Sequence, residues 1–245
     1  MDLIIHPGKL SGNISVIPSK SQTHRLLICA AFADGATELY CPEVNRDMDA
    51  TAACLNALGA DIQRTDYGYH IDPIQEVSTS AILPCRDSGS TLRFLLPVVG
   101  ALGVDAVFQM EGRLAQRPLS PLWEEMVRMG CNLTFISEQQ LRCSGKLKPG
   151  IFLIHGGVSS QFITGLLLAT ALIPGKSSIV ITGKLESKPY VDMTRHALAL
   201  FRCSSDNFTI FGGKKLHTPG KLKVEGDWSN GAFFLAANSL GSCLK

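Results

Sequence analysis

The sequence has little net charge and little that would indicate a metal site. Its 23 Lys and Arg residues nearly balance 21 Asp and Glu residues, giving a formal charge of +2. A nucleic-acid partner therefore gains no support from the bulk charge. The eight cysteines include no CxxC pair and no Cys/His cluster at ligand spacing. We therefore expect no metal, and reduced thiols that lie in the core and on the surface of a cytosolic protein.

Long apolar runs are also scarce. Residues 1–7 lack the basic start and apolar stretch of a signal peptide, and the longest largely apolar run, residues 166–173, is too short to span a bilayer. These absences favour a cytoplasmic location and exclude a membrane partner. With 45% hydrophobic residues in 245, the chain can nevertheless bury a full core.

What the sequence does contain is a repeat. A Ser-rich, turn-forming start to an apolar segment recurs at Ser19, Ser88, Ser159 and Ser229, in steps of 69, 71 and 70 residues. Serine just before a helix accepts hydrogen bonds from the free N–H groups of the first turn. The spacing therefore predicts four helices that begin at these serines, and at the fourth start Asp227 and Ser229 together make a competent cap.

Further helices and strands recur in register with the capped helices. Second helices are predicted from Asp47 to Gly59, from Arg117 to Gly130 and from Tyr190 towards Phe201, and β-rich runs at 150–154 and 178–182. The pattern predicts an α/β fold of three repeated strand, helix, strand, helix, strand units, with a fourth unit that begins near Lys223.

The fourth unit is unfinished in this sequence. Its apolar segment, residues 232–237, is followed by no strands that could cover it. We expect the chain to be a fragment of a protein with more units. We also expect residues 232–240 to form an ordered helix whose apolar face is prone to self-association.

The helix starts carry the chemistry. Free N–H groups and the positive end of the helix dipole favour an anion, and cations stand in or beside these turns: Lys20, Arg25, Arg93, Arg117 and Lys188. If the units pack around a common axis, the turns can form one site for a small, multiply anionic ligand. The alternatives are that the serines only cap helices and that Arg25 and Arg93 pair with Asp or Glu. Gly89 could likewise be only a turn residue, and Gln161 could be a buried, hydrogen-bonded amide and not a ligand contact.

Five segments together resemble the 5-enolpyruvylshikimate-3-phosphate synthase family, also called 3-phosphoshikimate 1-carboxyvinyltransferase. They are PSKSQTHR at 18–25, DSGSTLR at 87–93, RPL at 117–119, SSQF at 159–162 and SKPYVD at 187–192. The resemblance runs from about Lys9 to the chain end. It implies two similar domains of three repeated units, with the active site between them. It also implies transfer of enolpyruvyl from phosphoenolpyruvate to the 5-hydroxyl of shikimate 3-phosphate, with release of phosphate and without metal or organic cofactor.

The resemblance also assigns residues. It implies that shikimate 3-phosphate is held by Ser21, Arg25, Ser159, Ser160, Gln161, Ser187 and Tyr190. It implies that phosphoenolpyruvate is held by Lys20, Gly89, Arg117 and Gln161, with Lys20 and Gln161 as the catalytic residues of this chain. The Asp and Glu that transfer protons lie in the family's second domain, so we expect this chain to bind substrate without turnover when alone.

The same resemblance divides the chain and exposes one departure. Residues 1–14 would belong with the second domain through a strand at 3–6, residues 15–223 would form the N-terminal substrate-binding domain, and residues 224–245 would start the second domain. Where the family often has Asn, this chain has Asp87, which we expect to turn away from an anion site and pair with Arg86 or Arg93.

Three other functions remain open from the sequence. UDP-N-acetylglucosamine enolpyruvyl transferase shares the architecture, but it has a reactive Cys on the loop before its Arg-Pro, and residues 111–118 contain no Cys. A non-catalytic anion-binding module and a ligand-free scaffold are the alternatives from other classes. Binding of phosphate compounds separates the scaffold from the rest.

Overall fold

A computed structural model describes Ile4 and residues 8–245. The helices of this part are α1 (Lys20–Ala31), α2 (Arg46–Ala57), α3 (Gly89–Leu102), α4 (Leu122–Arg128), α5 (Ser160–Leu172), α6 (Lys188–Leu200) and α7 (Trp228–Ser239). The strands are β1 (Ser11–Gly12), β2 (Thr37–Tyr40), β3 (Asp61–Thr65), β4 (Gly68–Asp72), β5 (Ser80–Arg86), β6 (Asp105–Met110), β7 (Cys131–Ser137), β8 (Gln140–Gly145), β9 (Ile151–His155), β10 (Gly175–Thr182), β11 (Thr209–Gly212), β12 (Lys221–Lys223) and β13 (Cys243–Leu244). The strands predicted at 150–154 and 178–182 correspond to β9 and β10.

Three mixed sheets, one for each repeat, are joined by these helices. Their strand orders are β12-β2-β4-β3, β5-β6-β8-β7 and β11-β10-β9. The three repeated units are confirmed, and the predicted count of three strands per unit is wrong for the second unit alone, which supplies four. The sheets of the first two units contain four strands each. Both end in an antiparallel hairpin, β3-β4 or β7-β8, and the first sheet takes its parallel edge strand β12 from the far end of the chain. Backbone pairing at that sequence distance leaves no local signal.

The helices pack beneath the sheets and form the core. Helices α3 and α5 make the most extensive helix contact, and α1 packs on both α2 and α6. Most residues of α1, α3 and α5 are buried, which explains why their apolar residues do not form a single stripe. Gly165 permits the close approach of α5 to α3, since a Cβ there would lie 2.3 Å from the carbonyl oxygen of Arg93.

The inner helices begin where the repeat predicts. The side chains of Ser19, Ser88 and Ser159 accept N–H bonds from the first turns of α1, α3 and α5, so three predicted caps are confirmed. Of the two caps predicted for the fourth helix, Asp227 is the one used: it accepts from the N–H groups of Ser229 and Asn230 at 2.8 and 3.3 Å, so α7 starts before Ser229. The carboxylate also interacts favourably with the positive end of the helix.

The second helix of the middle repeat starts later than predicted. Helix α4 begins at Leu122, whereas Arg117 follows a 3₁₀ turn at Leu114–Gln116. Arg117 is extended, with φ −78° and ψ 132°, because the residue before a proline is sterically kept out of the helical region. Arg117 is therefore not in the first turn of a helix.

The last helix lies outside the core. Helix α7 forms as predicted, but none of its residues is buried, and Phe233 and Leu235 are 75% and 57% exposed. Behind it, β13 pairs in parallel with β1, and an apolar cleft of about 380 Å³ lies between α7 and the segment that contains Ile14 and Val16. The strand expected at residues 3–6 lies, apart from Ile4, outside the described residues.

Two predictions from composition can be compared with the described part of the chain. Six of the eight cysteines are buried, Cys203 is half-buried and Cys243 is exposed, and all are free thiols, as predicted for core and surface positions. Among the helices of residues 8–245, none is long and apolar enough to cross a membrane.

Candidate functional site

The first turns of α1, α3, α5, α6 and α7 meet at one cleft of about 570 Å³. Its lining residues are Lys20, Ser21, Arg25, Ser90, Phe94, Val158, Ser159, Ser160, Gln161, Ser187, Tyr190, Asp227, Ser229 and Asn230. The predicted convergence of helix N-termini on one face is thus confirmed. Because each first turn offers free N–H groups and the positive end of a dipole, the cleft favours an anion.

Arg25 is the most buried cation of the cleft, with 2% of its surface exposed. Its Nε donates to Thr194 Oγ1 at 2.7 Å, and its Nη2 donates to Thr164 Oγ1 at 3.0 Å and to the Tyr190 carbonyl at 3.1 Å. Nη1 donates to the carbonyl of Ser21. Every acceptor is neutral, and no ion pair joins Arg25 to a carboxylate among the residues that the structure describes. The alternative of a structural ion pair is therefore wrong for Arg25.

The charge of Arg25 is consequently uncompensated. Burial lowers the pKa of Arg25 to about 10, so the guanidinium remains protonated at neutral pH. It also lies 4.8 Å from the centre of the Phe94 ring, whose π face attracts a cation. A buried charge without an opposite charge is unfavourable, and an anion that enters the cleft would relieve that cost.

Lys20 lies at the mouth of the cleft in the first turn of α1. A cation is unfavourable at a helix N-terminus unless a negative group offsets it. Here the carboxylate of Asp47, from α2, lies 2.8 Å from Lys20 Nζ. The Lys20 side chain is 42% exposed, so this ion pair is open to water and to competing anions.

Gln161 is held at the centre of a polar bridge between α5 and α3. Its Oε1 accepts from Arg93 Nη1 at 2.7 Å, and its Nε2 donates to Ser90 Oγ at 3.0 Å. Arg93 also donates to the Pro118 carbonyl at 3.1 Å, so it binds no carboxylate in the described part of the chain. Gln161 is therefore a hydrogen-bonded amide that also lines the cleft, so the structural interpretation and the ligand-contact interpretation are compatible.

Gly89 and Arg117 lie beside the cleft and not in its lining. A Cβ on Gly89 would approach Arg117 Nη1 to 2.9 Å and Arg93 Nη1 to 4.0 Å. Burial and the nearby charge of Arg117 both lower the pKa of Arg93. The absence of a side chain at Gly89 thus lets two like-charged guanidinium groups gather at the start of α3, an arrangement that an anion would stabilise.

The serines of the cleft differ in how they are used. The Ser159 hydroxyl oxygen caps α5, where it accepts from the Gln161 N–H at 3.2 Å. Ser187 precedes α6 in a left-handed conformation (φ 52°, ψ 37°) and caps nothing. Such strain in a residue other than Gly is typical of a functional position. Tyr190 reaches across to α7, with its hydroxyl 3.4 Å from Ser229 Oγ.

Comparison with known proteins agrees with this geometry. A family model described as EPSP synthase (3-phosphoshikimate 1-carboxyvinyltransferase) matches residues 4–242. The chain belongs to this family. It is 37% identical to the 3-phosphoshikimate 1-carboxyvinyltransferase of Clostridium beijerinckii and 36% identical to that of Clostridioides difficile. Each alignment covers 98% of this chain and 58% of the relative, so the chain spans less than two thirds of these relatives' length.

Solved structures share the fold of the family. The EPSP synthase of Acinetobacter baumannii superimposes with a TM-score of 0.75 and 22% identity, over 94% of this chain and 53% of that chain. The enolpyruvyl transferase NikO of Streptomyces tendae superimposes with a TM-score of 0.66 and 16% identity, over 93% of this chain and 55% of that one. The enolpyruvyl-transferase fold implied by the family's sequence motifs is thus confirmed.

The prediction from the sequence was wrong for one residue near the site and did not include two others. Asp87 is exposed, and no ion pair joins it to Arg86 or Arg93 in the described part of the chain, so the expected pairing is wrong. Arg93 is engaged by Gln161 and Pro118 instead. Asp47 and Ser90 were given no role, although Ser90 follows Gly89 directly and shares its helix turn.

Proposed function

We propose that the cleft binds shikimate 3-phosphate and phosphoenolpyruvate, as a part of a 3-phosphoshikimate 1-carboxyvinyltransferase. The observation that carries this proposal is Arg25, a buried cation with only neutral acceptors, at the meeting point of several helix N-termini. Such a site favours a phosphate, and the name of the relatives, 3-phosphoshikimate 1-carboxyvinyltransferase, supplies the phosphorylated substrate and the reaction.

In this proposal one group of residues holds shikimate 3-phosphate. Its members are Ser21, Arg25, Ser159, Ser160, Gln161, Ser187 and Tyr190, all of which line the cleft. Helix N–H groups and serine hydroxyls suit a phosphate, because each donates a directed hydrogen bond to an oxygen. The Arg25 guanidinium adds a charge-assisted hydrogen bond, which is stronger than a neutral one.

A second group would hold phosphoenolpyruvate: Lys20, Gly89, Arg117 and Gln161. In the reaction a C–O bond forms between the substrate 5-hydroxyl oxygen and C2 of phosphoenolpyruvate, while the hydroxyl loses its proton and a proton adds to the methylene carbon. The C–O bond to phosphate then breaks and the methyl carbon loses a proton. Lys20 and Gln161 would hold the two anionic substrates together, since cationic and amide donors offset their mutual repulsion.

Proton transfer needs an acid and a base near the reacting carbon. In the described part of the cleft lining, the one carboxylate is Asp227, and its Oδ1 is occupied by the cap of α7. We therefore propose that this 245-residue chain binds its substrates without releasing phosphate at an enzymatic rate.

Calorimetric titration of the chain with shikimate 3-phosphate, followed by phosphoenolpyruvate, tests this function. We expect saturable binding, about tenfold or more weaker in Arg25→Lys, because the planar guanidinium and its charge-assisted hydrogen bond to the ligand are lost. Arg142→Lys is the matched control, since Arg142 is exposed and pairs with Asp105 on the outer face of a sheet. Absence of saturable binding would refute the proposal.

The same titration separates the alternatives. Equal affinity for inorganic phosphate and shikimate 3-phosphate would favour a general anion-binding module. Binding of UDP-N-acetylglucosamine would favour the other transferase, and no binding of any phosphate compound would favour a scaffold. Phosphate release at an enzymatic rate by the chain alone would refute our proposal that it binds without turnover.

We further propose the division into residues 1–14, 15–223 and 224–245. Contacts between the two outer segments support it: β1 pairs with β13, the Cys243 N–H donates to the Leu10 carbonyl, and the Ile14 N–H donates to the Lys245 carbonyl.

The exposed apolar face of α7 supports self-association through residues 224–245. The reduced thiols support action in the cytoplasm.

A further inference from the structure

Two threonines from neighbouring helices meet behind Arg25. Thr164 of α5 and Thr194 of α6 are fully buried, and their Oγ1 atoms lie 2.8 Å apart. Both hydroxyls accept from the guanidinium, at 3.0 and 2.7 Å. Neither residue lines the cleft, so any effect they have on a ligand must pass through Arg25.

The hydrogens of this cluster can be assigned in one consistent direction. Thr194 Oγ1 lies 3.0 Å from the Tyr190 carbonyl, which can only accept. Thr194 therefore donates to that carbonyl and accepts from Arg25 Nε and from the Thr164 hydroxyl. Thr164 donates to Thr194 and accepts from Arg25 Nη2. Every hydroxyl is satisfied, so the arrangement is rigid.

The acceptors around Arg25 also determine how much of its positive charge remains available to a ligand. A carboxylate in place of either hydroxyl would hold the guanidinium equally well, but it would neutralise the charge and compete with an incoming anion. Hydroxyl and carbonyl oxygens fix the Nε and Nη2 hydrogens and leave the positive charge in place. One Nη1 hydrogen has no acceptor among the described residues.

We propose that Thr164 and Thr194 are positioning residues that orient the Arg25 guanidinium towards the cleft and preserve its charge for the bound phosphate. This inference rests on the proposed function, because it takes shikimate 3-phosphate as the ligand of Arg25. The pair also ties α1 of the first repeat to α5 and α6 of the third, so the geometry of the cation depends on how two repeats pack.

Isosteric substitutions in the full chain test the pair. Thr194→Val and Thr164→Val remove one hydroxyl each and keep the shape, and each is expected to weaken binding of shikimate 3-phosphate about tenfold or more. Thr194→Ser, which keeps the hydroxyl, is expected to stay within about threefold of the native chain. Thr170→Val is the control, since Thr170 is also buried on α5 but donates to the Leu167 carbonyl, away from Arg25.

A double-substitution cycle distinguishes positioning from a general loss of structure. In an Arg25→Lys background, Thr194→Val is expected to cause little further loss of affinity, because its effect passes through the missing guanidinium. Additive losses would overturn the inference, as would equal affinities of Thr194→Val and Thr170→Val.

A nitrogen-15 NMR measurement keeps the inference testable without a ligand. The Arg25 Nε–H, assigned by its loss in Arg25→Lys, is expected to exchange slowly with solvent in the native chain and rapidly in Thr194→Val. If the native chain fails to bind shikimate 3-phosphate, the proposed function fails, and this signal alone decides whether the threonines orient Arg25. An unchanged exchange rate in Thr194→Val would overturn the inference in either case.

Discussion

Replacing Gly89 by alanine should separate ligand binding from stability. The new Cβ would lie 2.9 Å from Arg117 Nη1, closer than real Cβ contacts, so an atom must move. Arg117 is exposed and its guanidinium is the far end of a flexible side chain, so Arg117 is the group that gives way. The other neighbours, Leu114 Cδ1 and Arg93 Nη1, are at 3.9 and 4.0 Å and need not shift.

The expected effects of Gly89→Ala on ligand affinity and on stability differ in size. Displacing Arg117 removes one charge-assisted hydrogen bond to phosphoenolpyruvate, a loss of about 1.5–3 kcal/mol, or roughly 10- to 150-fold in affinity. The unfolding free energy should change by no more than about 1 kcal/mol, because alanine is favoured over glycine in a helix by roughly 0.5–1 kcal/mol and this offsets the side-chain shift.

The assay is titration of phosphoenolpyruvate into the chain saturated with shikimate 3-phosphate, together with urea unfolding. Gly165→Ala is the contrasting variant, because its Cβ would meet the Arg93 carbonyl oxygen at 2.3 Å and Pro97 Cγ at 3.0 Å, neither of which can move freely. It should lose about 1–3 kcal/mol of stability. Native affinity for phosphoenolpyruvate in Gly89→Ala would refute the reasoning.

Three further predictions concern the core and the surface. Arg25→Ala should lower both substrate affinity and the melting temperature, because it removes four hydrogen bonds of a buried side chain; an unchanged melting temperature would contradict this. Burial lowers the pKa of His24 to about 3, so the unfolded chain binds more protons than the folded one between pH 6.5 and 3. The stability from neutral His24 is therefore full above about pH 6.5 and should fall by about 2 kcal/mol by pH 5, a loss absent in His24→Gln by urea unfolding. Phe233→Glu should abolish any concentration-dependent rise in sedimentation coefficient, and an equal rise in both chains would exclude α7 as the contact.

The sequence was informative where the structure depends on neighbouring residues. Helix caps are local, since Ser19, Ser88 and Ser159 each bond an N–H two or three residues ahead. A local rule repeated at a constant period therefore predicted both the inner helices and the number of repeats. At the fourth start the rule left two competent caps, Asp227 and Ser229, and the backbone conformation selects Asp227.

Long-range contacts carried no such signal. Three lining residues of the cleft, Lys20, Gln161 and Arg25, bind side chains that lie far away in the sequence. Their partners Asp47, Arg93 and Thr194 are 27, 68 and 169 residues away. Each cation was predicted near an anion, but whether it met a carboxylate, an amide or a hydroxyl depends on how helices from different repeats pack. That choice decides the free charge in the cleft, with Lys20 paired to Asp47 and Arg25 left unpaired among the described residues.

The topology of the repeat explains how a nearly neutral chain can build a site for an anion. The connections from β5 through α3 to β6 and from β9 through α5 to β10 join parallel strands, so each inner helix starts beyond the carboxyl end of its strand. Helix α1 starts directly after the isolated antiparallel bridge between Pro18 and Gly226, and its N-terminus lies at the same cleft. Backbone dipoles thus add at one edge of the molecule although the formal charge is only +2. Composition cannot reveal a field that comes from the backbone, and the period of the repeat is the feature of the sequence that does.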